Sequence, residues 1–257
     1  MIMPKLYLYN YNQAGKLSGQ VILRELPDNK TILLISPHSD DIAVSLGGTV
    51  NLLAKNNKII PLLLFSGWRG VEGAGQIKGG NIREQEMIQE SKILGVKKPI
   101  FLNLPSYEKD DKTTQDKDIL EIEQYLKKYQ PDIIFLPRAN DYHPRHRLAA
   151  NMALKAISRR VHKKAIELFF YETPWRIFGN FDFNAVFVLS KIDFAQKIKA
   201  IRAHQSQIKR NHFDKIVRGL NDFRASVIPE QRIGNYGSST SRLGQYIEVF
   251  YNANYHS

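Results

Sequence analysis

The chain has 257 residues, 43% of them hydrophobic and 24% charged, with no cysteine and a formal net charge of +12 at pH 7. That balance suits a soluble globular protein with a full core. It excludes disulfides, thiolate metal sites and a cysteine nucleophile, so any metal must be held by nitrogen and oxygen.

Residues 5–9 and 20–26 read as short strands. From Thr31 the pattern alternates: strand 31–36, helix 42–56, strand 58–65, helix 81–94, strand 99–102, helix 116–129, strand 132–136, helix 146–160. Strands spaced by helices of this size imply βαβ units. "TILLIS" and "DIIFLP" are continuous apolar runs, as expected of parallel strands covered on both faces. Strands 166–171 and 185–190 follow, then helices near 192–207 and 211–227, and "IGNYGSSTSRLGQYIEVFY" reads as a loop and a final strand. The expected fold is α/β, a Rossmann-like three-layer αβα arrangement with a mainly parallel sheet. One domain is expected over 1–257, with its core at about 30–210 and the C-terminal helices and strand packed on it.

No apolar run reaches the length of a membrane span, and the longest, "KIIPLLLF", is interrupted by Pro61. The N-terminus lacks a basic head followed by an apolar core, so no signal peptide is expected and the cytoplasm is the expected compartment. The positive charge favours nucleic acid, an anionic membrane surface or an anionic small substrate. Its basic residues are scattered, with clusters only at "SRRVHKK" (158–164) and "IKR" (208–210). A solvated basic surface accounts for that pattern, and no specific nucleic-acid binding is expected.

Ligands of open α/β sheets bind outside the carboxyl ends of the strands, which singles out loops 36–41, 66–80 and 137–146. His38, Asp40 and Asp41 follow the first strand of the alternating region, and His143 and His146 follow "DIIFLP". If the two strands are neighbours, His38, Asp41 and His146 can converge on one cation. Two imidazoles and one carboxylate leave a position open for water, the arrangement of catalytic zinc. Asp40 then stands where a base for that water is needed. The plainer alternatives are that Asp40 or Asp41 caps the following helix and that His143 and His146 are surface groups. Against them, both clusters end apolar strands on the same expected edge.

The same residues carry a resemblance. "SPHSDDIAVSLGGT" resembles the first motif, roughly P-H-P-D-D-E and then G-G-T, of the LmbE-like (PIG-L) de-N-acetylase family. "RANDYHPRH" resembles its H-P-D-H-like motif, and "IREQEMIQESKILGV" its R-x-x-E…L-G helix, with Arg83, Glu86, Leu94 and Gly95 in register. "FLNLPSYE" and "HQSQ" (204–207) are similar to a branch related to members fused to glucosamine-6-phosphate deaminase-like enzymes. The resemblance implies a zinc hydrolase that removes the N-acetyl group from an N-acetylglucosamine-type amino sugar. It implies zinc on His38, Asp41 and His146, with iron or cobalt able to fill the same ligands. Asp40 would be the general base on the zinc-bound water, His143 the oxyanion stabiliser or the acid to the leaving amine, and Arg83 a contact to a sugar hydroxyl or anionic substituent.

Departures from the pattern fall at Ser39, at Ile42, where the family commonly has Glu, and at Arg145, which replaces the Asp of H-P-D-H. A cation there disfavours a protonated His143, and Asp141 is the acid available to substitute. Arg83 has an alternative as a helix-surface ion pair with Glu86 or Glu90. "GWRGVEGAGQIKGG" (67–80) lacks the spacing of a phosphate loop; it reads as a loop over the site, with Trp68 and Arg69 as sugar contacts. His204 is open between core and support for the site, and Glu172 and Trp175 follow a strand end. The partner is then a small amino sugar, anionic if the basic charge and Arg83 are a guide; the oligomeric state is open. Other readings are an amidohydrolase of a different acyl-amino compound and an idle sugar-binding protein of the same fold.

Overall fold

Strand β3 (Thr31–Ser36) is apolar from Ile32 to Ile35 because both its faces are covered. Ile32 and Leu34 enter one hydrophobic cluster, Leu33 and Ile35 the other. The computed structural model describes residues 5–9, 22–109, 111–159, 164–179, 182–228 and 246–254. Within them, β4 (Lys58–Leu63) and β6 (Ile133–Pro137) flank β3, all parallel. β5 (Ile100–Phe101) continues beyond β4, and β7 (Glu167–Tyr171) beyond β6, again parallel.

The rest of the nine-stranded sheet is antiparallel. β9 (Ile247–Asn252) pairs with β7, β8 (Ala185–Val188) with β9, β1 (Lys5–Leu8) with β8, and β2 (Ile22–Arg24) with β1. The parallel half is the stretch in which helices alternate with strands. Between β7 and β8 the described residues form no crossover helix of the kind a parallel neighbour requires. The expected parallel sheet is therefore confined to the half that carries the candidate site.

Helices α1 (Asp41–Leu53), α2 (Gln76–Leu94) and α5 (Lys191–Ala203) cover one face, and α3 (Lys112–Tyr129) and α4 (Pro144–Arg159) the other. α3 starts where the Asp111 side chain accepts from Thr114 N at 2.9 Å. α1 is broken at Leu46 (φ −138°, ψ 17°), just before Gly47 and Gly48. The break frees the N–H groups of Gly48 and Thr49, which donate to the buried Glu248 carboxylate of β9 at 3.1 and 2.7 Å. Lys197 of α5 completes a buried ion pair with the same carboxylate. Gly48 leaves room at this approach, since a Cβ there would lie 2.3 Å from Leu189 Cδ1.

Three of the expected helices differ clearly, and of these α3 begins at Lys112 rather than 116. α2 begins at Gln76 rather than 81, carrying Gly79 and Gly80 inside it. The run expected at 192–207 is divided at His204, where α6 (Gln205–Asn211) begins; α7 (Phe213–Val227) follows. His204 is buried and its Nε2 lies 2.6 Å from Glu90 Oε2 on α2. Ser206 N and Oγ each donate to Glu86 at 2.7 Å. These tertiary bonds outweigh the local preference for one continuous helix. The expected loop after α7 lies outside the described residues. Among the described residues, no helix is long and apolar enough to cross a membrane.

Candidate active site

β3 ends in a turn that its own polar groups hold. Ser36 Oγ donates to His38 O at 2.6 Å, and His38 N donates to Asp41 Oδ2 at 2.8 Å. Neither carboxylate is spent as a helix cap. Asp40 is the N-cap residue of α1 but makes no side-chain cap bond. Its Oδ1 accepts instead from Arg83 Nη2, at 2.6 Å. Arg83 is therefore not on the helix surface: it is 3% exposed and turned into the site. The acids offered by the sequence as its ion-pair partners, Glu86 and Glu90, are taken by Ser206 and His204.

The neighbouring strand β6 ends at Pro137, and the loop after it is organised by Asp141, which is 1% exposed. Its carboxylate accepts from His143 N at 2.7 Å and Thr173 Oγ1 at 2.6 Å, and lies 3.1 Å from His146 Nδ1. With Nδ1–H committed to Asp141, His146 presents Nε2 to the site. Asp141 thus holds the backbone of His143 and the ring of His146. It does not hold the His143 ring, whose Nδ1 is buried without a hydrogen bond. Arg145 turns to the opposite wall, donating to Ser106 O at 3.1 Å with its guanidinium 5.0 Å from the Tyr107 ring centre.

These two strand ends meet. His38 Nδ1 lies 3.2 Å from His146 Nε2, and the Asp41 oxygens lie 3.3 Å from the first and 3.4 Å from the second. His143 joins them, with ring centres 5.0 Å from His38 and 4.5 Å from His146. Nitrogen atoms of the three imidazoles fall within 4.8 Å of one another. Facing nitrogens beside a carboxylate make a donor set that fits a divalent cation. Two sets are on offer, His38 and His146 with either Asp41 or His143.

The charges are tightly coupled. Burial alone would lower His146, but the Asp41 charge and the bonds to Asp141 and Asp41 raise it to about 10. Burial raises Asp41, yet His146 and His38 outweigh that and hold it well below the ordinary carboxylate range. Asp141 is likewise lowered, by His146 and Thr173 against its burial. Burial and the neighbouring His38 and His146 push His143 down to about 4. At neutral pH His143 is therefore a neutral imidazole.

The cluster forms the floor of a cavity of about 260 Å³ walled by Arg69, Tyr107, Arg145, Trp175 and Arg210. Gly67 (φ +61°) closes in from the 66–80 loop, where a Cβ would stand 3.4 Å from His38 Cδ2. Of the sugar contacts expected in that loop, Arg69 lines the cavity, while Trp68 Nε1 donates to Glu108 at 2.9 Å. Trp175 is a wall residue, its ring centre 6.1 Å from that of His143. Glu172 lies in a neighbouring cavity, paired with Arg224 at 2.6 Å. No role for Thr173, Tyr107, Gln207 or Arg210 was legible in the sequence: Tyr107 and Gln207 lie in "FLNLPSYE" and "HQSQ", but only the fold brings these four residues to the site.

Residues 33–157 match the family described as PIG-L, GlcNAc-PI de-N-acetylase. A diacetylchitobiose deacetylase of Thermococcus kodakarensis is 32% identical over 138 residues, 51% of this chain and 50% of that protein. The chain thus spans about half the length of this curated relative. The fold is shared with the N,N'-diacetylchitobiose deacetylase of Pyrococcus horikoshii, with TM-score 0.67 and 22% identity over 88% of this chain and 84% of that one. It is shared equally with the 4-carboxy-2-hydroxymuconate hydratase of Pseudomonas putida, with TM-score 0.66 and 18% identity over 87% and 96%.

Proposed function

We propose that this chain, through its PIG-L/LmbE-like domain, is a zinc-dependent hydrolase that removes the N-acetyl group from an N-acetylglucosamine-type amino sugar. A hydratase with nearly the same fold means that the choice rests on the site. One observation carries it: His38 Nδ1 and His146 Nε2 face each other at 3.2 Å beside Asp41, with a second carboxylate, Asp40, next to them. His38, Asp41 and His146 would hold the ion, leaving His143 for the substrate. Zinc suits an all-nitrogen-and-oxygen donor set, and iron or cobalt would fit it too. Once bound, the ion polarises the acetamide carbonyl and acidifies water.

The chain's own residues divide the remaining work. Asp40 takes the proton from the attacking water, and Arg83 on Oδ1 fixes the carboxylate so that its other oxygen serves as base. His143, neutral at pH 7, donates a hydrogen bond to the developing oxyanion. Having no extra proton to give, it leaves Asp40 to return the proton to the amine nitrogen, without which the amide does not cleave. Arg83 keeps Nε and Nη1 buried with no hydrogen-bond partner, which supports a contact to a substrate hydroxyl or anionic group. Trp175 offers an apolar ring for a sugar face. Arg145, directed at Ser106 and Tyr107, leaves this arrangement intact.

The whole chain would act as one domain built on the single sheet, and the cytoplasm fits a protein without cysteine. The test is acetate release from N-acetylglucosamine, N,N'-diacetylchitobiose and N-acetylglucosamine phosphates by zinc-loaded protein. Release abolished by a chelator and restored by zinc supports the reading; no release from any of them, with zinc bound, refutes it.

A further inference from the structure

The cavity wall above the histidines carries four arginines, Arg69, Arg83, Arg145 and Arg210, against two aspartates that both belong to its floor. Arg145 stands over the Tyr107 ring, 5.0 Å from its centre. Burial raises the Tyr107 phenol, with the charges of Arg69, Arg145 and Arg83 acting against that rise and Glu108 adding to it. These three arginines arrive from separate elements, the Trp68–Gly70 turn, α2 and the first turn of α4. Arg145 is not there for its helix. The first turn of α4 carries the positive end of the helix dipole and holds no acid, so a cation at that place is disfavoured.

The wall is held in place before any ligand arrives. Arg145 is fixed by Ser106 O and the Tyr107 face. Arg69 pairs with Glu108 at 2.5 Å, and Arg210 donates to Gly70 O at 3.4 Å, on the same turn as Arg69. Gln207 adds a second bond to that carbonyl at 2.9 Å. Inside the wall, the Arg83 side chain is 3% exposed, and its Nε and Nη1 have no hydrogen-bond partner. A buried guanidinium with two idle donors is a costly arrangement unless a ligand supplies an acceptor. Planar guanidinium forks match carboxylate and phosphate oxygens.

Resting on the deacetylase reading above, we propose that this arginine wall is a subsite for an anionic substituent, a carboxylate or phosphate, carried by the amino sugar. The substrate is then an N-acetylated amino sugar acid or sugar phosphate, its acetamide on the floor and its anion against Arg83, Arg145 and Arg210.

The experiment compares N-acetylglucosamine, N-acetylglucosamine 6-phosphate and N-acetylmuramic acid, a carboxylate, by calorimetric binding and by acetate release. It uses zinc-loaded wild type, Arg145→Gln and the double variant Arg145→Gln, Arg210→Gln. At least one anionic sugar should bind about tenfold or more tighter than the neutral one. That preference should fall about fivefold in the single variant and further in the double, where Arg83 alone of the three remains. Which anion is favoured separates the phosphate source from the carboxylate source. Equal binding of neutral and anionic sugars by wild type, or a preference undiminished by both substitutions, overturns the subsite. Acetate release reports separately: binding preference without any release leaves the subsite standing and removes the deacetylase reading, and release without preference does the reverse. If the double variant does not fold, Arg145→Lys and ionic strength decide. The preference should weaken only in part in Arg145→Lys and fall steeply with added salt in wild type; indifference to both overturns it.

Discussion

Replacing Asp141 by Asn changes a single atom and should disable the metal centre from outside it. Asp141 accepts from three directions, His143 N at 2.7 Å, Thr173 Oγ1 at 2.6 Å and the His146 ring at 3.1 Å. An asparagine can keep its oxygen on one side only. If the oxygen stays with His143 N, the amide NH₂ faces His146 Nδ1 and Thr173. Thr173 can rotate its hydroxyl to accept, but the His146 Nδ1–H would then meet another donor. The ring escapes by moving its proton to Nε2, the nitrogen that faces His38 and Asp41 and that must be bare to bind an ion. Loss of such a supporting carboxylate typically costs about 10- to 100-fold in metal affinity, or about 1.4–2.7 kcal/mol. Competition with a chromophoric chelator measures it, with Thr173→Val as a comparison that removes one neutral donor and should weaken binding less than about tenfold. A folded Asp141→Asn protein that binds zinc within twofold of wild type would refute the reasoning.

Three further perturbations follow from the geometry. His146 is held at about 10, so at neutral pH the ion must displace its proton. Zinc affinity should therefore rise with pH between about 7 and 10, and calorimetry in buffers of different ionisation enthalpy should show about one proton released; no release contradicts the assignment of His146 as ligand. In the metal-free protein the same raised value contributes stability that is complete below the unfolded pKa of roughly 6.5 and is lost as pH climbs through about 10. Lys197→Met leaves Glu248 buried with only the Gly48 and Thr49 N–H groups; a loss of about 3 kcal/mol is expected, lowering Tm by about 6–12 °C, and an unchanged calorimetric Tm would be against it. Gly79→Ala puts a Cβ 2.7 Å from Trp68 O, so the turn bearing Arg69 must shift. KM should rise severalfold with zinc affinity intact, and kinetics identical to wild type would show that the turn does not shape the site.

The metal cluster was legible because its parts are local. An apolar strand running into His38, Asp40 and Asp41, and another into His143 and His146, can be read without a third dimension, and the parallel pairing of β3 with β6 brings them together. What escaped depends on packing between distant elements. Arg83 reaches Asp40 only because α2 lies against the start of α1, and sequence spacing offers it Glu86 and Glu90 first. Asp141 could be suspected as an acid near the motif, but its three partners include Thr173, from beyond β7. The early start of α2 was hidden by Gly79 and Gly80, poor helix formers; at Gly79 a Cβ would stand 2.7 Å from Trp68 O. The break at His204 arises from its bond to Glu90, 114 residues away in sequence. The antiparallel half of the sheet has no sequence period of its own to announce which strand lies beside which.

The proposed reaction depends most directly on Asp40. Zinc content and acetate release should be measured together on wild type and Asp40→Asn, with the sugar that wild type uses best. Equal zinc is expected in both proteins, with a fall in release of about 10²- to 10⁴-fold in the variant, the range expected for removal of a general base. An Asp40→Asn protein that holds zinc and releases acetate within a few-fold of wild type would contradict the proposed reaction.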